Sequence, residues 1–223
     1  MVPEVLGQVE PPVPADEEER LGRELRLRPT IRGFIAFDLP PDVRREIAGL
    51  IDTLAAHPAA TKAAVRWEAP DQLHLTLKFL GRLETAFLPD LRLALSSAVQ
   101  DRRPLRLVLQ GGGCFPDAAR PRVLWLGVGG SVDLLCDLAA TVEKRLVSLG
   151  FAPENRAFSP HLTLGRSSSA EGSLLAEELV ARAAEIKLEL WARELVLFRS
   201  DAIPLGARYT PLFRFPLGGP LRS

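Results

Sequence analysis

The apolar residues of the chain recur at a two-residue spacing in some stretches and at helical spacing in others, which indicates a mixture of strands and helices. The stretch IRGFIAFDLP, from Ile31 to Pro40, is rich in β-branched and aromatic residues and runs into two prolines. This pattern is typical of a strand followed by the start of a helix. A helix is predicted over about residues 42–56, on the helical spacing of Val43, Ile47, Leu50, Ile51 and Leu54.

Three more helices are predicted further along the chain. They cover about residues 88–99, 131–149 and 174–184. The second of these has Ser131 as a candidate N-cap and Gly150 as a C-terminal stop. The strand-like stretches are AVRW, LHLTLKFL, PLRLVLQ, RVLWLGV, PHLTLGR, IKLELWARELVLFRS and ARYTPLFRFPL.

Each half of this pattern contains strands, a helix of about fifteen residues or more, and one strand with the tetrapeptide His-Leu-Thr-Leu. The repetition predicts an α+β fold, with a two-lobed, pseudo-twofold arrangement of antiparallel β-sheets, helices packed on the outside and a central cleft. We assign residues 31–218 to a single bilobal domain. Residues 1–30, which are rich in proline and acidic side chains, form an N-terminal extension predicted to be disordered or loosely attached, and residues 219–223 form a C-terminal tail.

The composition is that of an ordinary globular domain, with 47% apolar and 25% charged residues. Because 28 basic residues balance 28 acidic ones, any nucleic acid must be bound locally and not by an overall field. Cys114 and Cys136 fit no metal or disulfide pattern, and no stretch has the pattern of a signal peptide or a membrane span. We predict a cytoplasmic protein with no membrane association and no obligate protein partner.

The tetrapeptide His-Leu-Thr-Leu occurs at residues 74–77 and again at 161–164, although the chain has only three histidines. A single His on a strand is more often structural than catalytic, but the odds that two of three histidines share such a motif by chance are below about one in a hundred. The third, His57, is predicted to cap or decorate the end of the first helix.

Side chains alternate across a strand, so His74 and Thr76 are expected on one polar face, and likewise His161 and Thr163. Each pair would present an imidazole and a hydroxyl roughly 6 to 7 Å apart, a spacing that suits one phosphate group. Two imidazoles facing one cleft can act as general base and general acid, while the threonine hydroxyls donate to phosphate oxygens. This chemistry requires no metal and no cofactor.

At these residues the chain resembles the 2H phosphoesterase superfamily, which is named for two His-x-Thr-x motifs on facing strands of a two-lobed α+β fold. Within it, the chain is similar to the RNA 2′,3′-cyclic phosphodiesterase branch, also called the 2′-5′ RNA ligase family. The similarity runs from about Arg32 to Leu217, with RGFIAFDLP, VRW, LHLTLKFLG, RVLWLGV, RAFSPHLTLGR and ARYTPLFRFPL in the expected order. The resemblance implies that water opens an RNA 2′,3′-cyclic phosphate to a 2′-phosphomonoester.

The resemblance also implies a role for each site residue. His74 would be the proton donor to the leaving 3′ oxygen, and His161 the proton acceptor that activates water. Thr76 and Thr163 would hold phosphate oxygens. Arg166, five positions after the second His, would bind the phosphate.

Strict alternation makes predictions for residues just outside the motifs. It places Phe79 on the core face and Lys78 on the His face, where the lysine either adds positive charge or is solvated. It would also direct Arg166 toward the core, so we predict that Gly165 permits a bulge or bend that turns Arg166 back.

Two alternative functions remain open. The same site could act on small cyclic nucleotides, or the protein could be a non-catalytic module that binds RNA ends. Ligation, the reverse reaction, is chemically possible, but the chain has no nucleotidyl-transfer lysine motif and no ATP-binding loop.

Overall fold

Nine strands and five α-helices occur in the part of the chain that the computed structural model describes, namely residues 29–169, 172–204 and 206–218. The strands are β1 (Thr30–Asp38), β2 (Val65–Trp67), β3 (His74–Glu84), β4 (Leu105–Phe115), β5 (Val123–Gly130), β6 (His161–Ser167), β7 (Lys187–Ala192), β8 (Glu194–Ile203) and β9 (Gly206–Pro216). The helices are α1 (Pro41–Ala55), α2 (Pro58–Lys62), α3 (Leu88–Val99), α4 (Val132–Ser148) and α5 (Ser173–Ala183).

The strands form two antiparallel sheets. One sheet has four strands in the order β3-β1-β8-β9, and the other has five in the order β2-β6-β5-β4-β7. Helices α3 and α4 pack against each other, and α5 packs against β4. The predicted α+β class with antiparallel sheets and helices outside them is confirmed, and each sheet contains one His-Leu-Thr-Leu strand.

The helices form where the sequence pattern predicts them. All four predicted helices are found, and each predicted boundary lies within one residue of the observed one. Helix α4 is followed by Gly150 in the left-handed region, at a φ of +91°, as a glycine stop requires. Ser131 is the N-cap residue of α4, as predicted, and its carbonyl oxygen accepts from the Leu135 N–H at 3.0 Å, although its side chain makes no capping hydrogen bond.

The predictions for the two ends of the chain lie almost entirely outside the described residues. Of the proposed extension over residues 1–30, only Pro29 and Thr30 are described, and Thr30 is the first residue of β1. The proposed tail over residues 219–223 is not among the described residues.

Strands β1 and β8 are buried on both faces, and this places apolar side chains next to the His face of β3. One face contributes to the main core, for example through Ile35 and Leu197. The opposite face forms a smaller cluster against which Tyr209 packs. The buried members of that cluster are Phe34, Ala36, Val196 and Phe198.

The predicted positions of Lys78 and Phe79 are wrong, because β3 does not alternate strictly. Against β1, Thr76 pairs with Ala36 and Lys78 pairs with Ile35, so Leu77 is an extra residue that forms a bulge. Leu77 and Lys78 are therefore both buried, and Phe79 returns to the polar face, where it is 58% exposed.

Lys78 is a buried ion-pairing residue, neither solvated nor directed at the His face. Its side chain is 5% exposed, and its ammonium group lies 2.9 Å from Glu143 on α4 and 3.4 Å from Glu154. It also donates to the carbonyl oxygen of Ala152 at 3.1 Å. A buried charge with three partners of this kind ties β3 to α4 and to the segment that leads into β6.

Replacing Lys78 with Met tests this structural role. The change keeps the volume but removes the partners of Glu143, Glu154 and the Ala152 carbonyl, so we expect a loss of about 1 to 3 kcal/mol in the free energy of unfolding. Urea denaturation monitored by circular dichroism measures it. An unchanged unfolding midpoint would contradict the ion-pair network as a source of stability.

Candidate active site

The two motif strands, β3 and β6, lie against each other and carry the same irregularity. In β6, Thr163 pairs with Trp125 and Gly165 pairs with Leu124, so Leu164 is an extra residue. Leu164 occupies the same place in its motif as the bulged Leu77 of β3. In each strand the residue five positions after the His thus returns to the face that carries His and Thr.

Four of the five predicted site residues line one cavity between these strands. His74 and Thr76 come from β3, and Thr163 and Arg166 come from β6. The other residues that line it are Glu68, Gln72, Phe79 and Tyr209. Both motifs therefore contribute to one cavity, as the repeat predicts.

His161 is not among the residues that line this cavity. It lies two positions before Thr163 on β6, and both side chains are partly exposed, while Leu162 between them is fully buried. His161 packs edge-on against Phe115, with ring centroids 5.0 Å apart, and its ring centroid lies 6.4 Å from that of Trp125. It is thus on the same face of the strand as Thr163, at the neighbouring position.

The two imidazoles are oriented in the same way. The Nδ1–H of His74 donates to the carbonyl oxygen of Gln72 at 2.6 Å, and that of His161 donates to the carbonyl oxygen of Ser159 at 2.7 Å. In each case the acceptor is two residues before the histidine. Because a carbonyl can only accept, Nδ1 carries the proton in both rings and Nε2 is the nitrogen left for chemistry.

His74 lies in an aromatic environment that lowers its pKa. Its ring centroid is 4.6 Å from that of Phe34 and 5.2 Å from that of Tyr209, which meets it edge-on. Burial among these rings lowers the pKa of His74 below the usual 6.5, while the Gln72 carbonyl and the charge of Asp38 act in the opposite direction. The free site therefore favours the neutral form of His74.

Arg166 reaches the cavity face because of the bulge at Leu164, and Gly165 beside it allows close packing against β2. A Cβ on Gly165 would lie 2.8 Å from Val65 and 2.9 Å from Trp67 on the neighbouring strand β2, so only glycine fits there. The side chain of Arg166 is 44% exposed, and its Nε lies 3.7 Å from a carboxylate oxygen of Glu68. The predicted bulge is present, at Leu164. The equivalent bulge in β3 forms with Lys78 at the position of Gly165, so a glycine is not what permits it.

Four residues of the cavity, Glu68, Gln72, Phe79 and Tyr209, are absent from the sequence-based prediction of the site. Phe79 could have been found from the repeat itself, since it stands five positions after His74 as Arg166 stands five positions after His161. Glu68 and Tyr209 carry no such signal. They reach the cavity through the pairing of β2 with β6 and of β8 with β9, which sequence spacing does not reveal.

Within the described ranges, no three or more His, Cys, Asp and Glu side chains are grouped so that they could hold a metal ion. The helices in those ranges are all too short or too polar to cross a membrane.

Comparisons with known proteins identify relatives over most of the chain. The family model described as "LigT like Phosphoesterase" matches residues 37–125 and 130–209. An RNA 2′,3′-cyclic phosphodiesterase of Methanothermobacter thermautotrophicus is 30% identical over 188 residues, covering 84% of this chain and 99% of the relative. The Escherichia coli protein of the same name is 33% identical over 187 residues, covering 83% and 96%.

Solved structures show the same fold. The crystal structure of the Thermus thermophilus protein TT0787 matches with a TM-score of 0.69 and 27% identity, covering 85% of this chain and 100% of that one. E. coli LigT complexed with 3′-AMP matches with a TM-score of 0.67 and 28% identity, covering 85% and 99%. With its two His-x-Thr motifs meeting at one cavity, the chain belongs to the LigT-like phosphoesterase family.

Proposed function

We propose that this protein hydrolyses RNA or oligonucleotide ends carrying a 2′,3′-cyclic phosphate to a 2′-phosphomonoester, by acid-base catalysis with two histidines and without a metal or cofactor. The observation that carries the proposal is the single cavity lined by His74 and Thr76 from one motif and by Thr163 and Arg166 from the other. The names of the relatives, RNA 2′,3′-cyclic phosphodiesterases, support the same substrate class.

The proposed reaction is an in-line displacement at phosphorus. Neutral His161 accepts a proton at Nε2 from water as the water oxygen bonds to phosphorus. The bond from phosphorus to the 3′ oxygen breaks, and protonated His74 gives its Nε2 proton to that oxygen. The products are a free 3′ hydroxyl and a 2′-phosphomonoester, and the two histidines have exchanged protonation states.

The phosphate is proposed to lie between the two bulged strands. The hydroxyls of Thr76 and Thr163 donate to non-bridging oxygens, where negative charge accumulates in the transition state. Arg166 supplies a fixed positive charge and a planar set of donors. Phe79, whose ring is largely exposed at the cavity, presents an apolar face on which the adjoining nucleobase can stack.

The acid role of His74 requires that substrate binding promote its protonation. Burial favours its neutral form, but an anionic phosphate next to the ring favours the charged form, as the nearby Asp38 carboxylate already does. Asp38 is the β1 residue that pairs with His74 across the sheet, and it is held by ion pairs with Arg44 and Arg214. Because burial still opposes the positive charge, protonated His74 remains acidic enough to give its proton to the leaving 3′ oxygen.

The direct test is hydrolysis of a synthetic RNA with a 2′,3′-cyclic phosphate end, in excess chelator, with chromatographic detection of the 2′-phosphate. We expect His74→Ala and His161→Ala each to lower kcat by about 10² to 10⁴-fold, the usual contribution of a general acid or base. The third histidine provides a matched control, since His57 only accepts a hydrogen bond from the Ala59 N–H at the start of α2. His57→Ala should retain activity.

Three results would contradict the proposal. The first is that the cyclic end is bound but never opened, which would favour a binding module. The second is activity only on small cyclic nucleotides, and the third is activity that requires an added divalent metal.

The influence of Asp38 on His74 gives a separate prediction. Asp38→Asn removes a negative charge that raises the pKa of His74 and leaves Arg44 unpaired, so the pKa of His74 should fall further. A pH titration of the imidazole NMR signals measures it, and with three histidines the assignment is tractable. The control is Asp137→Asn, whose carboxylate on α4 pairs with Arg102. An unchanged or raised His74 midpoint in Asp38→Asn would contradict the predicted coupling.

A further inference from the structure

A carboxylate is an unexpected group in a cavity that binds phosphate, yet Glu68 lines this one. Its side chain is only 13% exposed, and it lies among the groups that the proposed function assigns to the phosphate, with Arg166 as its nearest cation at 3.7 Å. That distance is too long for a hydrogen bond, so the two groups interact as charges without fixing each other's orientation.

The backbone holds Glu68 in this position. It directly follows β2, and its N–H donates to the carbonyl oxygen of Leu164 at 2.9 Å. Leu164 is the bulged residue of β6, so the distortion that turns Arg166 into the cavity also binds the backbone of Glu68. The backbone of Glu68 is therefore held beside the phosphate site, and its largely buried side chain stays within the cavity lining.

Glu68 interacts electrostatically with other groups of the cavity, as the pKa shifts of Glu68 and Tyr209 indicate. Burial raises the pKa of Glu68, although Arg166 and Arg66 oppose the effect. Burial also raises the pKa of Tyr209 across the cavity, and the charge of Glu68 adds to that rise. A charge in so restricted a space acts strongly on any anion bound beside it.

The charges of the cavity match a ligand with one negative charge. In the catalytic state of the proposed reaction, Arg166 and one protonated imidazole supply two positive charges, and the Glu68 carboxylate cancels one of them. A cyclic phosphodiester carries one negative charge, whereas a phosphomonoester carries about two above its second pKa of about 6. Substrate and product of the proposed reaction therefore differ in negative charge, and the charge of the ligand determines how strongly Glu68 repels it.

We propose that Glu68 is a specificity-determining residue that disfavours doubly charged phosphomonoesters, so that the cavity retains singly charged cyclic ends and releases its own product. The inference rests on the proposed function, because it takes the cyclic diester as substrate and the 2′-monoester as product. A Glu68 that served only to hold Arg166 in place would have the opposite effect on binding, since its loss would weaken both ligands.

The test compares the binding of two ligands with and without the carboxylate. Isothermal titration at pH 8 uses adenosine 2′-monophosphate as the dianion and adenosine 2′,3′-cyclic monophosphate as the monoanion, with His161→Ala present in every protein to prevent turnover. We expect Glu68→Gln to bind the monoester roughly tenfold more tightly and the cyclic ester about threefold more tightly, because the repulsion removed is proportional to ligand charge. Glu68→Asp should keep the parental preference.

Glu189→Gln is the matched control, since Glu189 pairs with Arg106 at the exposed surface. Unchanged or weaker binding of the monoester by Glu68→Gln, or an equal gain for both ligands, would overturn the inference. The proposed function is judged separately, by RNA hydrolysis with the protein that retains His161. A protein that hydrolyses the cyclic end but shows no gain on Glu68→Gln would refute the role of Glu68 alone.

Discussion

One extra residue in each of two strands determines which side chains can meet at the cavity. In a regular strand, the residue five positions after a His points to the opposite face. The bulges at Leu77 and Leu164 cancel that change, so Phe79 and Arg166 join the His and Thr side chains that precede them. The same shift sends Lys78 into the core, where it needs the two glutamates that pair with it.

The two halves share this geometry but differ in the chemistry it presents. Each imidazole is held through Nδ1 by a carbonyl two residues earlier, so the rings begin with equivalent orientations. The position after the bulge is apolar in one half, at Phe79, and cationic in the other, at Arg166. In the proposed function both halves contact the phosphate, while Phe79 offers a ring for a base and Arg166 adds a positive charge, so a near-symmetric frame can bind an asymmetric nucleotide end.

Packing around the cavity adds a second constraint, which is electrostatic. The aromatic residues Phe34 and Tyr209 shield part of His74 from water, and this burial lowers its pKa. Glu68 is partly desolvated in the same cavity and opposes part of the charge of Arg166. A site with charges of both signs is sensitive to the charge of its ligand, and water screens the largely buried Glu68 less than it screens the more exposed Arg166.

The sequence was sufficient for the helices and the fold class, which depend on local periodicity and on a repeat. The repeat also indicated four residues that line one cavity, whereas His161 lies beside that cavity and not in its lining. The sequence was insufficient for Lys78 and Phe79. The bulge at Leu77 buries two successive residues, Leu77 and Lys78, and so reverses the expected faces of Lys78 and Phe79, and the sequence pattern does not reveal where such a bulge lies. Glu68 and Tyr209 were missed for a different reason. Their place at the cavity depends on strand pairing between distant segments, and single-sequence spacing does not encode it.

The most direct measurement of the shared site is an NMR titration of the imidazole signals with inorganic phosphate at constant pH. The chain's three histidines give one signal set each. If one anion is bound between the two motifs, the signals of His74 and His161 should shift together with a single Kd, while that of His57 stays in place. Shifts confined to one motif histidine, or two different Kd values, would contradict a common phosphate site.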